Sequence, residues 1–321
     1  MELLPKLVNQ KHTQKGIDNM NIKRRQFLFL SGISVITSGF LDGKLLSNSL
    51  IESATAANPI KKNLKKDLLL RFVSVADTGT GAKGQYAVAN SMNYYHQQNP
   101  YNLVILAGDN IYNHGEIEKI NQVFERPYQP LLQKSVKFYA CLGNHDIRTD
   151  NGVPQVKYPG FNMQGRYYTF SQNKVQFFAL DTNGNADWKN QLIWLDKELS
   201  LSQAPWKVVF GHHPIYSSGH YGNNASFIKT FTPLFKKYNV QLYINGHDHN
   251  YERTRPINGT TYLICGAGAG NRPVGRSQWT EYSTSDLSFA AYDVYADKME
   301  VRAIGTNNRV FDQGIIKLNS V

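Results

Sequence analysis

Apolar residues in this chain alternate between short, mostly apolar runs and stretches where they recur every three to four positions. Leu68 to Ala76, Leu103 to Ala107, Lys137 to Leu142, Lys207 to Phe210 and Gln241 to Ile244 are runs of the first kind. Their length and Val/Ile/Phe content predict buried strands. Tyr86 to Gln97, Gln191 to Leu199 and Ser226 to Tyr238 are of the second kind, and Leu192, Leu195 and Leu199 mark one apolar helix face. Ile117 to Leu132 also reads as helical, with a break near Pro127 and Pro130. Tyr167 to Ser171 and Val175 to Leu180 predict a hairpin with Asn173 in its turn. Thr260 to Cys265, Ala290 to Ala296, Met299 to Ile304 and Gly314 to Leu318 read as successive strands. Mixed βαβ units followed by a strand-rich tail predict a mixed α+β fold of two sheets packed face to face with helices outside.

Composition supports a globular body, since 41% hydrophobic and 12% aromatic residues over 321 positions can fill a sizeable core. The formal charge of +11 raises the question of nucleic acid, but its distribution answers it. Residues 1–66 hold eleven Lys/Arg against four Asp/Glu, and the remainder is only mildly basic. Within that leader Arg24 and Arg25 stand directly before an apolar run from Phe27 to Leu41, too short and too rich in Gly and Ser for a membrane span. The pattern resembles a twin-arginine export signal, and Ala54-Thr55-Ala56 fits a signal-peptidase site. The expected organisation is a leader over 1–57, a linker over 58–67 and one domain over 68–321, exported to the periplasm or secreted. Met20 offers an alternative start. No nucleic acid and no stable membrane association after cleavage are expected. Cys141 and Cys265 are too few for a disulfide framework and read as buried, unbonded thiols, with pairing between them left open.

The candidate chemistry lies where the strand-like runs give out. Asp77-Thr78-Gly79, Gly108-Asp109-Asn110-Ile111-Tyr112, Gly143-Asn144-His145-Asp146, Val209-Phe210-Gly211-His212 and Gly246-His247-Asp248-His249 all take that position. Loops beyond strand ends can converge while the sheet stays rigid. Any one cluster reads equally as a turn or a cap. Together they supply carboxylate, phenol, amide and imidazole donors and no thiolate, a set suited to two hard or borderline metal ions. His247 and His249, spaced i, i+2, point the same way on an extended segment. His212 and the adjacent His213 diverge, so one of the two is expected to bind. A phenol such as Tyr112 becomes a ligand only for a strongly Lewis-acidic ion such as ferric iron.

Those five blocks resemble the calcineurin-like metallophosphoesterases, and within them the small, single-domain tartrate-resistant type of purple acid phosphatase. The shared pattern is Asp-x-Gly, Gly-Asp-x-x-Tyr, Gly-Asn-His-Asp/Glu, Val-x-x-His and Gly-His-x-His, spread over roughly 68–275. The resemblance implies a four-layer αββα sandwich. It also implies a ferric site of Asp77, Asp109, Tyr112 and His249, and a site for divalent iron, zinc or manganese made of Asp109, Asn144, His212 and His247. Asp109 would bridge. Hydrolysis of phosphate monoesters would follow, with water activated by the metals as nucleophile. Asn144, His145 and a histidine in the loop after the fourth block would contact substrate. His220 is the candidate for that histidine and for a catalytic role beside His145, with His213 as fallback because His220 stands about one residue closer to His212 than in the family. Thr78 replaces an aromatic common in the first block.

The expected partners are phosphate-ester small molecules or phosphoproteins and the twin-arginine export machinery. The same donors would also serve a phosphodiesterase, nucleotidase or pyrophosphatase, with loops such as 152–165 and 217–224 deciding. A different class, an exported phosphate- or metal-binding protein without activity, would not need His145.

Overall fold

The structure, a computed structural model, describes residues 68–318. The expected leader and linker lie outside these residues. The first sheet is built from β1 (Leu70–Val75), β2 (Leu103–Leu106), β3 (Lys137–Ala140), β11 (Ser288–Val294), β12 (Lys298–Gly305) and β13 (Val310–Lys317), in the order β13-β12-β11-β1-β2-β3. The second contains β4 (Tyr168–Gln172), β5 (Val175–Ala179), β6 (Trp206–Phe210), β7 (Leu242–Asn245), β8 (Tyr251–Thr254), β9 (Thr261–Cys265) and β10 (Thr280–Thr284), in the order β10-β8-β9-β7-β6-β5-β4. Strands β1, β2 and β3 run parallel, as do β5, β6, β7 and β9.

Strand alternation sorts the core into three layers. In β1, Leu70 and Phe72 face the inter-sheet core while Val73 and Val75 face the helix side. In β6, Trp206, Val208 and Phe210 face the inter-sheet core and Val209 faces the other helix layer. Both faces are therefore covered, which is why these strands are mostly apolar rather than strictly alternating. Phe72 joins the two sheets, stacking on Tyr292 at 4.3 Å and meeting Phe177 edge-on at 5.2 Å. Burial of a side chain this size contributes about 1.5–3 kcal/mol.

Helices α1 (Lys83–Gln98) and α2 (Arg126–Leu132) cover the first sheet; α4 (Trp188–Leu201) and α5 (Ala225–Lys237) cover the second; α3 (Val153–Lys157) is a short turn between β3 and β4. This is the αββα sandwich. Asp187 caps α4 by accepting from Asn190 N, and Asn224 caps α5 by accepting from Phe227 N. The segment expected as a helix over 117–132 is irregular up to Glu125 and becomes α-helical only from Arg126, with Pro127 in its first turn. Asn173 takes φ 54° in the hairpin turn. Cys141 and Cys265 are both buried and unbonded.

Candidate metal centre

Each of the five clusters leaves the carboxyl end of a parallel strand, and the sandwich brings all five to one edge. Asp77, Asp109 and His247 turn the chain there with φ of 57°, 52° and 69°. Side chains other than glycine rarely adopt this left-handed region, and its concentration at one place is a mark of functional sites. Hydrogen bonds hold the turns in register. Asp77 Oδ2 accepts from His247 N at 2.9 Å, and Asp109 Oδ1 accepts from His145 N at 2.9 Å. Glycine is required at the closest approaches, since a Cβ on Gly143 would overlap the Asp109 carboxylate and one on Gly246 the Asp77 carboxylate.

The side chains gather in two groups. In the first, the Tyr112 hydroxyl lies 3.1 Å from Asp77 Oδ1 and 3.2 Å from His249 Nε2, which is itself 3.4 Å from Asp77 Oδ1. In the second, His212 Nε2 lies 3.1 Å from Asn144 Oδ1, 3.2 Å from His247 Nδ1 and 3.5 Å from Asp109 Oδ1. Ligand atoms of Asp77, Asp109 and His212 all lie within 4.8 Å of one another, so Asp109 stands between the groups. His212 Nδ1 is 3.0 Å from the Ala107 carbonyl oxygen and must donate to it, leaving Nε2 as a lone pair aimed at the other acceptors.

The electrostatics are those of a cation site. Burial first, then the neighbouring His213, holds His212 well below its ordinary pKa. Burial with His212 and His213 brings His247 down to about 2. Asp77 is pushed up to about 6, chiefly by burial and further by the Asp109 charge, against the hydrogen bond to His249. Burial and the Asp77 and Asp109 charges raise the Tyr112 phenol. Neutral imidazoles and crowded carboxylates converge with too few protons between them, which a bound cation would resolve. The donor set therefore fits metal ions.

The expected substrate histidines are placed differently from one another. His145 sits at the mouth, Nδ1 2.8 Å from the Asn113 carbonyl oxygen and Nε2 3.9 Å from Asp109 Oδ2. His220 is exposed, and its ring meets the edge of Tyr221; its backbone N, not its imidazole, is anchored, donating to Asp248 Oδ1 at 2.9 Å. His213 is nearer the cluster, its ring 4.5 Å from that of His247, with Nδ1 2.9 Å from Thr182 Oγ1. Tyr221, rather than His220, packs onto a donor residue, stacking face to face on His247 at 3.9 Å.

Residues 70–251 match the calcineurin-like phosphoesterase family. The chain belongs to the calcineurin-like phosphoesterases. It is 30% identical over 263 residues to purple acid phosphatase 7 of Arabidopsis thaliana, covering 72% of this chain and 79% of that protein. To the human (Homo sapiens) tartrate-resistant acid phosphatase type 5 it is 27% identical over 314 residues, 83% of this chain and 92% of that protein. The purple acid phosphatase PPD1 from yellow lupin (Lupinus luteus) shares the fold with a TM-score of 0.67 at 19% identity, over 77% of this chain and 53% of that one. The phosphoesterase is thus a hydrolase, a phosphatase on this fold.

Four groups without an assigned role in the sequence support the phosphoesterase centre. Asp146 is fully buried and accepts from Gly143 N, Asn110 N, Asn110 Nδ2, Ile111 N and Gln155 Nε2, tying together the loops that carry Asp109 and Asn144. Burial and the Asp109 charge push it up to about 7, against those donors. Asp248, also fully buried, accepts from Ser217 Oγ and His220 N and so fastens the 217–221 loop to the His247–His249 segment. Thr182 Oγ1 accepts from both His212 N and His213 N. Arg148 Nη2 lies 3.4 Å from His145 Nε2. Asp146 and Asp248 stand inside the quoted blocks, and their position beside donors was the available signal. Thr182 follows β5, a further parallel strand end.

Proposed function

We propose that this phosphoesterase is a dinuclear-metal acid phosphatase that hydrolyses phosphate monoesters. One observation carries the reading: two donor groups meet at Asp109, and His145 stands at their mouth. Asp77, Tyr112 and His249 would hold one ion, Asn144, His212 and His247 the other, and Asp109 both. The phenol supports ferric iron in the first position, and the mixed nitrogen and oxygen donors support divalent iron, zinc or manganese in the second. Bound there, the two ions supply Lewis acidity and make water acidic enough to serve as the nucleophile near neutral pH or below.

The chain's own residues account for the rest. Water oxygen bonds to phosphorus, the ester P–O bond breaks, and the departing oxygen takes a proton, giving an alcohol and inorganic phosphate. His145 is oriented for that transfer, because donation from Nδ1 to Asn113 O leaves Nε2 facing the site with Arg148 beside it. Asn144 Oδ1 faces His212, which leaves its Nδ2 to donate to a phosphoryl oxygen. The Arg24-Arg25 leader supports export to the periplasm or beyond, where phosphate esters or phosphoproteins would be met.

The test is phosphate release by protein stripped of metal and then reloaded, from p-nitrophenyl phosphate, its bis-ester and pyrophosphate. Metal-dependent turnover favouring the monoester at least tenfold is expected. Preference for the bis-ester or pyrophosphate would replace the monoesterase reading with its alternatives, and turnover that survives stripping would end it.

A further inference from the structure

Beside the Asp77, Tyr112 and His249 group opens a cavity of about 530 Å³, walled on one side by His145 and reaching Lys119 and Arg272. A phosphate monoester placed at the donors has only its leaving group to accommodate, and this cavity is the space beside them. Its lining is cationic. Asp77 is the one acid among the lining residues, and it belongs to the metal centre. Among the described residues no carboxylate pairs with Arg272. Lys119 pairs with Glu116 at 2.8 Å, but the two side chains are only partly covered, 42% and 29% exposed, and such a pair is weak and readily exchanged for another anion.

Arg272 is also held in place. Its backbone N donates to the His249 carbonyl oxygen at 2.7 Å, and its guanidinium sits 5.5 Å over the Tyr221 ring with Nη1 3.2 Å from the hydroxyl. That contact uses one of five N–H donors. The remaining fork suits a phosphate or carboxylate. A neutral leaving group would have no use for it.

We propose that this cavity is a second-anion subsite, and that the preferred substrates are phosphate monoesters whose leaving group carries a further phosphate or carboxylate, held by Arg272 with Lys119. The inference rests on the phosphatase reading above. It is tested with metal-loaded enzyme by comparing kcat/KM for glucose 6-phosphate with that for 6-phosphogluconate, which adds a carboxylate, and glucose 1,6-bisphosphate, which adds a phosphate. Wild type should favour one or both of the probes that carry the added anionic group, and which one identifies the anion. Arg272→Ala should reduce that preference about tenfold, Arg272→Lys should retain part of it, and Lys237→Ala, a distant charge change, should retain it all. Lys119→Gln is read in parallel and should also lower the preference, so that a folding failure of Arg272→Ala leaves a result. Equal kcat/KM for all three probes in wild type, or a preference that survives both substitutions, overturns the subsite while the phosphatase reading stands. No turnover of any probe by metal-loaded wild type overturns the phosphatase reading and the subsite with it.

Discussion

Replacing Asp146 with Asn changes one atom of the carboxylate and should nevertheless weaken both the fold and the metal centre. Asp146 Oδ1 accepts from Asn110 N at 2.9 Å, Ile111 N at 3.0 Å and Gln155 Nε2 at 3.1 Å. Oδ2 accepts from Gly143 N at 2.8 Å, Asn110 N at 3.1 Å and Asn110 Nδ2 at 3.1 Å. Asn110 N bonds both oxygens, Asn110 Nδ2 also donates to Cys141 O at 2.9 Å and Gln155 Nε2 to Gly115 O at 3.1 Å, so an amide nitrogen on either side leaves one buried backbone N–H, that of Ile111 or Gly143, without an acceptor. At about 1–3 kcal/mol for such a group, the loss is a sizeable part of a total stability of roughly 5–15 kcal/mol. Urea denaturation of metal-free protein isolates this term from metal binding. Metal affinity, measured separately, should fall about 10–100-fold, because the same bonds place Asp109 and Asn144. A stability loss below about 1 kcal/mol with unchanged metal affinity would refute the argument that Asp146 organises the centre.

Further outcomes are expected elsewhere. His145→Ala should lower kcat by about 10²–10⁴-fold while metal content stays at the wild-type level; loss of metal instead would make His145 a donor to the centre. Tyr112→Phe should retain the fold, seen by circular dichroism, and remove any visible charge-transfer band of the iron-loaded protein; a persisting band would exclude the phenol as ligand. Asp293 is buried, which alone would raise its pKa, but Arg71 at 2.9 Å and Arg302 at 2.8 Å hold it below the ordinary carboxylate value. Its contribution is therefore present above the unfolded-state value of about 3.9 and lost as pH falls through the lower folded value; acid titration of Asp293→Asn should show a flatter stability profile, and an unchanged profile would contradict this. Lysine at both Arg24 and Arg25 should leave the protein in the cytoplasm, read by cell fractionation, and continued export would remove the twin-arginine reading.

Much of the fold was legible because doubly covered parallel strands leave apolar runs that few other structures produce. β1, β2, β6 and β7 were visible for that reason. β8 and β10 were not. β8 reads Tyr251-Glu252-Arg253-Thr254 and is nevertheless buried, because Arg253 pairs with Asp312 at 2.7 Å and Glu252 accepts from Thr280 Oγ1 at 2.6 Å. β10, a polar edge strand, carries no apolar alternation. Pairing partners that distant in sequence cannot be read from local pattern.

The candidate site divides along the same line. The strand-end clusters were legible from their position, and the family resemblance singled out seven candidate donors among them, side chains that the fold places close together. Spacing did not distinguish His213 from His220, because that depends on how the 217–221 loop is fastened to Asp248, a contact between residues 28 positions apart. The same loop carries Tyr221 onto His247 and beneath Arg272, so the shape of the leaving-group cavity was also out of reach.

The most direct test of the central claim is a crystal structure of metal-loaded protein with anomalous scattering recorded at the iron, zinc and manganese edges. Two anomalous peaks about 3.5–4 Å apart are expected, one bounded by Asp77, Tyr112 and His249, the other by Asn144, His212 and His247, with Asp109 touching both. A single peak, or two peaks that do not share Asp109, would contradict the dinuclear centre on which the proposed activity depends.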